Sequence, residues 1–126
     1  MKTNLAISAV LGLIAVVLGA FAAHTLQDRL SADALRSFET AVLYQMFHVL
    51  ILLFVNTFDS LSKRTKNNIS ALFFTGILFF SGSIYAIYLL GVPSSSIWFI
   101  TPLGGLLLIL GWLALFISIV KNSKKE

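Results

Sequence analysis

The sequence predicts an all-α integral membrane protein, built as a four-helix bundle that spans a lipid bilayer. Hydrophobic residues make up 58% of the 126 residues, and charged residues make up only 11%. A soluble domain is closer to about 45–50% apolar and about 25% charged. Four apolar stretches also follow one another along the chain, each close to the ~20 residues that cross a bilayer as an α-helix.

The four stretches predict a single transmembrane domain over residues 1–126, with spans at about 5–24, 32–58, 69–90 and 98–120. The connections between them are too short to hold a folded soluble domain. The chain contains no cysteine, which excludes disulfides and thiolate metal sites. Lys2, a long apolar run and Ala20-Phe21-Ala22 also resemble a signal peptide with a small-residue cleavage site, but the apolar run exceeds the usual ~7–15 residues of such a segment. We therefore expect the first span to be retained.

Basic residues predict the orientation of the spans. Seven cations fall at one end of the predicted bundle: Lys2, Lys63, Arg64, Lys66, Lys121, Lys124 and Lys125. The other end holds only Arg29 and Arg36, offset by nearby acidic residues. Because short cytoplasmic segments are enriched in Lys and Arg, both termini and the 59–68 connection are predicted to be cytoplasmic. A lysine cluster beside a span contacts anionic lipid more often than nucleic acid, and no nucleic-acid partner is expected.

The second predicted helix is longer than a bilayer requires. Ser31 is a good N-cap, and no helix breaker follows before Phe58. A helix over these residues is about 40 Å long at 1.5 Å per residue, so its first two turns are expected beyond the outer surface. Four charged residues in this region have helical spacing and predict a solvated series of ion pairs: Arg29, Asp33, Arg36 and Glu39.

Small residues predict where helices approach closely. Ser8, Gly12, Ala15, Gly19 and Ala23 share one face of the first span, which favours helix packing over a ligand groove. Glycines predicted to lie at helix contacts are Gly12, Gly19, Gly82, Gly104 and Gly111. The fourth helix has two alternatives, because Thr101-Pro102 fits either a helix that begins at Pro102 or a longer helix kinked there.

Polar residues within the spans predict a shared cluster. Tyr44, Gln45 and His48 lie on one stripe of the second helix, between bulky apolar residues, and are expected to point into the bundle. With the predicted orientation, the other members fall in the same outer half: His24, Ser81, Ser83, Tyr85 and Thr101. The inner half offers few polar partners. This asymmetry predicts a polar cavity that is closed at its inner end.

Four segments of the chain carry a family resemblance: GAFAAH (19–24), FETAVLYQMFH (38–48), FSGSIYA (80–86) and TPLGG…GW (101–112). Together, and in this order, they resemble the family of small bacterial inner-membrane proteins known as domain of unknown function 423 (DUF423). Ala22 departs from the glycine that relatives carry in the first motif. The resemblance implies a four-span membrane protein of the bacterial plasma membrane, with Glu39 and both histidines within its motifs, and it implies no activity.

Three functional hypotheses follow. The first is a non-enzymatic membrane structural or interaction component, whose polar cluster sets the register of the helices and whose partners are membrane lipid and either further copies or another membrane protein. The second is transport of a proton, ion or small molecule by an oligomer, since His48 is a titratable group within a span.

The third hypothesis is haem or metal binding by His24 and His48, whose predicted depths differ by roughly 10 Å at 1.5 Å per residue. That difference disfavours a shared metal or haem ligand. The chain has no nucleophile–base motif and no phosphate-binding loop, so no catalytic residue, cofactor or metal is predicted.

Overall fold

The computed structural model describes residues 2–123 of the protein, and Lys124 and Lys125, which contributed to the predicted orientation, lie outside them. The described part is helical: α1 is Lys2–His24, α2 is Ala32–Thr57, α3 is Lys63–Leu89, α4 is Ser94–Ile97 and α5 is Ile100–Ser123, with a single 3-10 turn at Leu26–Asp28. The four long helices are each long and apolar enough to cross a membrane. The all-helical, four-span architecture is therefore confirmed.

Serine side chains cap the N-terminal ends of two of the long helices. The Ser31 hydroxyl accepts a hydrogen bond from the Ala34 backbone N–H at 3.2 Å, so Ser31 caps α2 as its sequence predicts. Ser62 caps α3 in the same way, accepting from the Thr65 N–H at 3.2 Å. Of the predicted ion-pair series at the start of α2, the described residues form only the Asp33–Arg36 contact, at 3.9 Å between exposed side chains.

The start of α5 differs from both predicted alternatives. The helix begins at Ile100, so Thr101 and Pro102 lie within its first turn, and the short helix α4 precedes it. Proline is tolerated there because the first N–H groups of a helix have no partner within it.

The long helices pack mainly in chain order, α1 against α2, α2 against α3, and α3 against α5. Their alternating directions create two ends. We call the end with residues 25–31 and 90–99 the loop end, and the end with residues 2, 58–62 and 123 the termini end. Two apolar clusters fill the interior: one around Phe38 and Leu26 at the loop end, the other around Phe73, Leu52 and Ile69. Leucines, isoleucines and phenylalanines cover the outward faces, as lipid contact requires.

Glycines allow α3 and α5 to approach closely. A Cβ atom on Gly104 would lie 2.2 Å from the backbone nitrogen of Phe80, and one on Gly111 would lie 2.6 Å from the ring of Phe73. Gly76, which the sequence did not single out, is as tightly packed, with a Cβ position 2.6 Å from Leu108. No side chain can be added at Gly104 unless the two helix backbones move apart.

The remaining predicted packing glycines differ from one another. Cβ atoms on Gly12 and Gly19 would lie 3.3 and 3.4 Å from valine methyl groups of α2, so both lie at the α1–α2 contact. A Cβ on Gly82 would meet only Leu78 of its own helix, at 3.7 Å, so Gly82 does not lie at a close helix contact. On α1 the small residue buried at the loop end is Ala22, whereas Ala23 is exposed.

Candidate functional site

Gln45 joins three helices through its side-chain amide. Its Nε2 donates to the backbone carbonyl of Leu11 on α1 at 2.7 Å, and its Oε1 accepts from the Tyr85 hydroxyl on α3 at 2.7 Å. The Gln45 side chain is 2% exposed. Because the first bond is made to a main-chain carbonyl within α1, it also fixes the position of α2 along the axis of α1.

His48 uses both ring nitrogens in hydrogen bonds. Nδ1 lies 2.6 Å from the backbone carbonyl of Tyr44, and Nε2 accepts from the indole N–H of Trp112 on α5 at 3.0 Å. A carbonyl oxygen only accepts, so the proton of the neutral ring must be on Nδ1. Trp112 was missed as a partner, although it ends the last of the four motifs noted in the sequence.

The predicted serines and Thr101 form bonds nearer the loop end. Ser81 donates to the backbone carbonyl of Ala41 at 2.7 Å and thereby ties α3 to α2. The hydroxyls of Ser83 and Thr101 lie 2.5 Å apart and tie α3 to α5. The four long helices are thus linked by side-chain hydrogen bonds within one polar cluster.

Two predicted members lie outside this cluster. Tyr44 does not point into the bundle: it is 41% exposed, and its ring stacks on Phe80 with centroids 5.0 Å apart. Tyr44 precedes Gln45 by one residue, or about 100° around α2, which is enough to place it at the gap between α2 and α5. His24 is exposed at the end of α1 and forms no hydrogen bond with the cluster.

The cluster also reaches deeper than predicted. Leu11, the partner of Gln45, lies near the middle of α1, and Trp112, the partner of His48, lies near the middle of α5. Both partners lie close to the midpoints of their helices, so the cluster extends to the middle of the bundle.

A second polar cluster, absent from the sequence-based prediction, lies toward the termini end. Asn56 on α2 accepts from the Asn4 amide of α1 at 3.0 Å and donates to the Ser70 hydroxyl of α3 at 2.8 Å. Asn4 also donates to Asn67 at 3.0 Å. A signal was present, because Asn56 continues the stripe of α2 that carries Gln45 and His48 at helical spacing.

Lys66 completes this second cluster. Its side chain is 4% exposed, and Nζ lies 3.4 Å from the backbone carbonyl of Asn56, in the last turn of α2. The last four carbonyls of a helix have no partner within the helix, and a cation there also complements the helix dipole. Lys66 therefore stabilises the C-terminal end of α2.

A groove runs along the outside of the polar cluster, between α2 and α5. Its volume is about 510 Å³, and it is lined by Tyr44, Phe47, His48, Gly105, Leu108, Ile109 and Trp112. The Tyr44 ring forms part of its wall on α2, and the Trp112 indole forms part of its wall on α5.

The buried polar side chains of residues 2–123 form hydrogen bonds within the protein itself. No buried side-chain nitrogen or oxygen in this range lacks a hydrogen-bond partner. Nor do these residues hold a group of three or more His, Asp or Glu side chains that could bind a metal ion. His24 and His48 lie at the end and near the middle of the bundle respectively, so the arrangement offers no paired axial ligands for haem.

Comparison with known proteins supplies the family. Residues 18–105 match the model of a family described as "Protein of unknown function (DUF423)". The chain belongs to the DUF423 family. A UPF0382 membrane protein of Staphylococcus saprophyticus is 41% identical over 121 residues, covering 96% of this chain and 99% of that protein. One from Haemophilus influenzae is 42% identical and covers 88% of each chain, and YwdK of Bacillus subtilis is 40% identical, covering 96% and 98%. No solved structure matches the chain.

For this DUF423 protein, the names of the relatives and the four apolar helices together establish a multi-pass membrane protein. The family match contains Gln45, His48, Ser81, Tyr85 and Thr101. The cluster partners Leu11 and Trp112 lie outside the matched segment, in parts of the chain that the longer alignments cover.

Proposed function

We propose that this protein is a non-enzymatic structural or interaction component of the bacterial plasma membrane, in which the polar cluster sets the register of the four spans. The observation that carries the proposal is Gln45, whose amide bonds to α1 and α3 from a buried position on α2. In hydrocarbon an unsatisfied polar group is costly, so each such bond favours one helix arrangement, by about 0.6–2 kcal/mol.

Hydrogen bonding at His48 favours this role over proton relay or metal ligation. Both ring nitrogens are already bonded, one to the Tyr44 carbonyl and one to the Trp112 indole. A proton or a metal ion at Nε2 would have to displace the Trp112 N–H. A group held in this way stabilises the contact between α2 and α5.

We further propose a single transmembrane domain with both termini cytoplasmic. Within the described residues, five cations support this orientation at the termini end: Lys2, Lys63, Arg64, Lys66 and Lys121. The 26 residues of α2 extend about 39 Å, longer than a hydrocarbon core of about 30 Å, which supports a first portion of α2 beyond the outer surface.

The outward apolar faces of α1 and α5 contact lipid, and they are also the surfaces through which we propose contact with another copy or with a partner membrane protein. Leu13 and Val16 on α1, and Ile109 and Phe116 on α5, are each more than 60% exposed. Membrane helices associate through such faces mainly by van der Waals packing, because lipid tails are as apolar as the side chains and leave no hydrophobic driving force.

Substituting Gln45 tests the proposed role. Gln45→Ala removes the hydrogen bond to the Leu11 carbonyl and leaves the Tyr85 hydroxyl without the Gln45 acceptor, and we expect a clear loss of thermal stability in detergent. The matched control is Ser118→Ala, which removes only a bond to Ala114 of its own helix. A Gln45→Ala protein as stable as the parent but inactive in cells would contradict the structural role.

A further inference from the structure

The connection between α3 and α5 exposes large apolar side chains. Leu90 is 79% exposed, Trp98 is 71% exposed and Phe99 is 51% exposed. The segment over residues 90–99 contains no charged residue. The other connection at the loop end, residues 25–31, differs from it by carrying one acidic and one basic side chain, both exposed. The two connections are therefore suited to different surroundings.

The backbone holds these side chains in a defined arrangement. Gly91 has a φ of 69°, in the left-handed region that favours glycine, and turns the chain away from α3. The N–H of Val92 then donates to the carbonyl of Ala86 at 3.2 Å, which ties the connection to the end of α3. At its other end the rings of Trp98 and Phe99 meet edge to face, with centroids 6.0 Å apart.

The hydrocarbon core of a bilayer does not suit this connection. Residues 90–93 lie outside any helix, and the three serines of α4 are exposed. Irregular backbone in contact with lipid does not occur within the hydrocarbon region, because its N–H and C=O groups find no partners there. The connection must therefore lie beyond the core.

Bulk water does not suit it either, because the exposed Leu90, Trp98 and Phe99 side chains would order water around apolar surface. The interface between hydrocarbon and water meets both requirements. Tryptophan is enriched there, since its ring is apolar and its N–H can donate to lipid or water oxygens. Exposed Leu89 and Leu103 also continue the patch onto the lipid-facing surfaces of α3 and α5.

A protein partner is a poorer match for the patch. A stable interface buries about 800 Å² on each partner, and a whole aromatic side chain supplies only about 150–250 Å². Three side chains, each already partly covered by the protein, fall short of that area.

We propose that residues 90–99 form an interfacial anchor, in which Leu90, Trp98 and Phe99 insert among the lipids at the boundary of the hydrocarbon core while the serines of α4 face water. The anchor sets how deeply α3 and α5 lie in the bilayer at the loop end. It depends only on the four spanning helices, so it holds whichever end of the bundle is cytoplasmic and whatever the role of the polar cluster.

The depth of Trp98 tests the anchor. The chain has two tryptophans, so Trp112→Phe leaves Trp98 as the sole fluorophore, and Trp98→Phe leaves Trp112 as the internal reference. Each protein is placed in phosphatidylcholine vesicles spin-labelled either near the glycerol or near the end of the acyl chain. We expect the first label to quench Trp98 more and the second to quench Trp112 more. The two depths should differ by about 18 Å, the rise from Ile100 to Trp112 at 1.5 Å per residue.

A charge placed in the anchor provides a matched pair of variants. In the Trp112→Phe protein, adding Phe99→Asp should draw Trp98 toward water, because a charged side chain is costly to place among lipid chains. We expect a red shift of the emission and a several-fold rise in quenching by iodide present on both sides of the vesicle. Adding Ser95→Asp, at an exposed serine of α4, should change neither.

A second probe keeps the hydrogen bond that Trp112→Phe removes. The chain contains no cysteine, so Trp98→Cys can carry an environment-sensitive dye in a protein that retains Trp112. The dye should report the same shallow depth as Trp98.

Four results would overturn the anchor. Iodide quenching of Trp98 as strong as that of free tryptophan would place it in water, and strongest quenching by the deep label would place it in the hydrocarbon core. Equal responses to Phe99→Asp and Ser95→Asp would show that Phe99 is not inserted. A Trp98 protected from both lipid labels and iodide, in vesicles where the protein is a dimer, would make the patch a contact between two copies of the chain.

Discussion

The indole N–H of Trp112 donates to Nε2 of His48 at 3.0 Å, which connects α5 to α2 across 64 residues of the chain. Phe73 of α3 packs against both rings, with centroids 5.4 Å from His48 and 5.8 Å from Trp112. One polar contact and one aromatic ring thus hold three helices together near the middle of the bundle.

Removing the indole N–H is expected to weaken this connection. Trp112→Phe leaves His48 Nε2 without a donor while keeping an aromatic ring, and we expect a loss of about 0.6–2 kcal/mol in the free energy of unfolding. Reversible unfolding in mixed detergent measures it. Trp98→Phe, at an exposed position near the loop end, is the control and should change stability little. Equal stability of the two variants would contradict an energetic role for the bond.

The second polar cluster gives a prediction at Asn56. Asn56→Ala removes hydrogen bonds to both Asn4 and Ser70, and we expect it to cost about 1–3 kcal/mol of unfolding free energy. A double-mutant cycle with Asn4→Ala should show coupling of about 0.5 kcal/mol or more, because the two amides bond directly. Strict additivity of the two substitutions would show that the Asn4–Asn56 contact contributes nothing measurable.

Two adjacent glycines on α5 are expected to respond in opposite ways. Gly104→Ala places a Cβ 2.2 Å from the Phe80 backbone nitrogen, so α3 and α5 must separate, at a cost of about 1–3 kcal/mol. Gly105→Ala meets only the Phe80 ring at 3.8 Å, and alanine's higher helix propensity should make it neutral or stabilising by up to about 1 kcal/mol. Melting temperatures of the two variants in one detergent check this. Similar values would mean that the close contact of the helices does not control stability.

The proposed orientation is open to a labelling experiment, because the chain contains no cysteine. Ser60→Cys at the termini end and Ser95→Cys at the loop end both introduce thiols at exposed positions. In intact cells a membrane-impermeant maleimide should label only the second, and lysis should make the first reactive. Labelling of Ser60→Cys alone in intact cells would mean that the termini end, and not the loop end, faces the outside.

Helical periodicity in the sequence was enough to predict much of α2. Residues three and four apart share a face, so the stripe with Gln45 and His48 could be placed against the interior, and both side chains are buried. The small-residue face of α1 was recognised by the same reasoning, and Gly12 and Gly19 do contact α2. Periodicity was misleading at Tyr44, which lies at the edge of the stripe and faces a gap between helices.

The sequence by itself therefore determined that this protein is a four-helix membrane protein, since apolar length and the period of an α-helix depend only on the order of residues. The tertiary structure decided the partners: Trp112 for His48, Asn4 for Asn56, and the main-chain carbonyl of Leu11 for Gln45. Those pairings depend on how far each helix is shifted and rotated against its neighbours. Shift and rotation are set by the close packing of surfaces such as Gly104 on Phe80, which no single helix encodes.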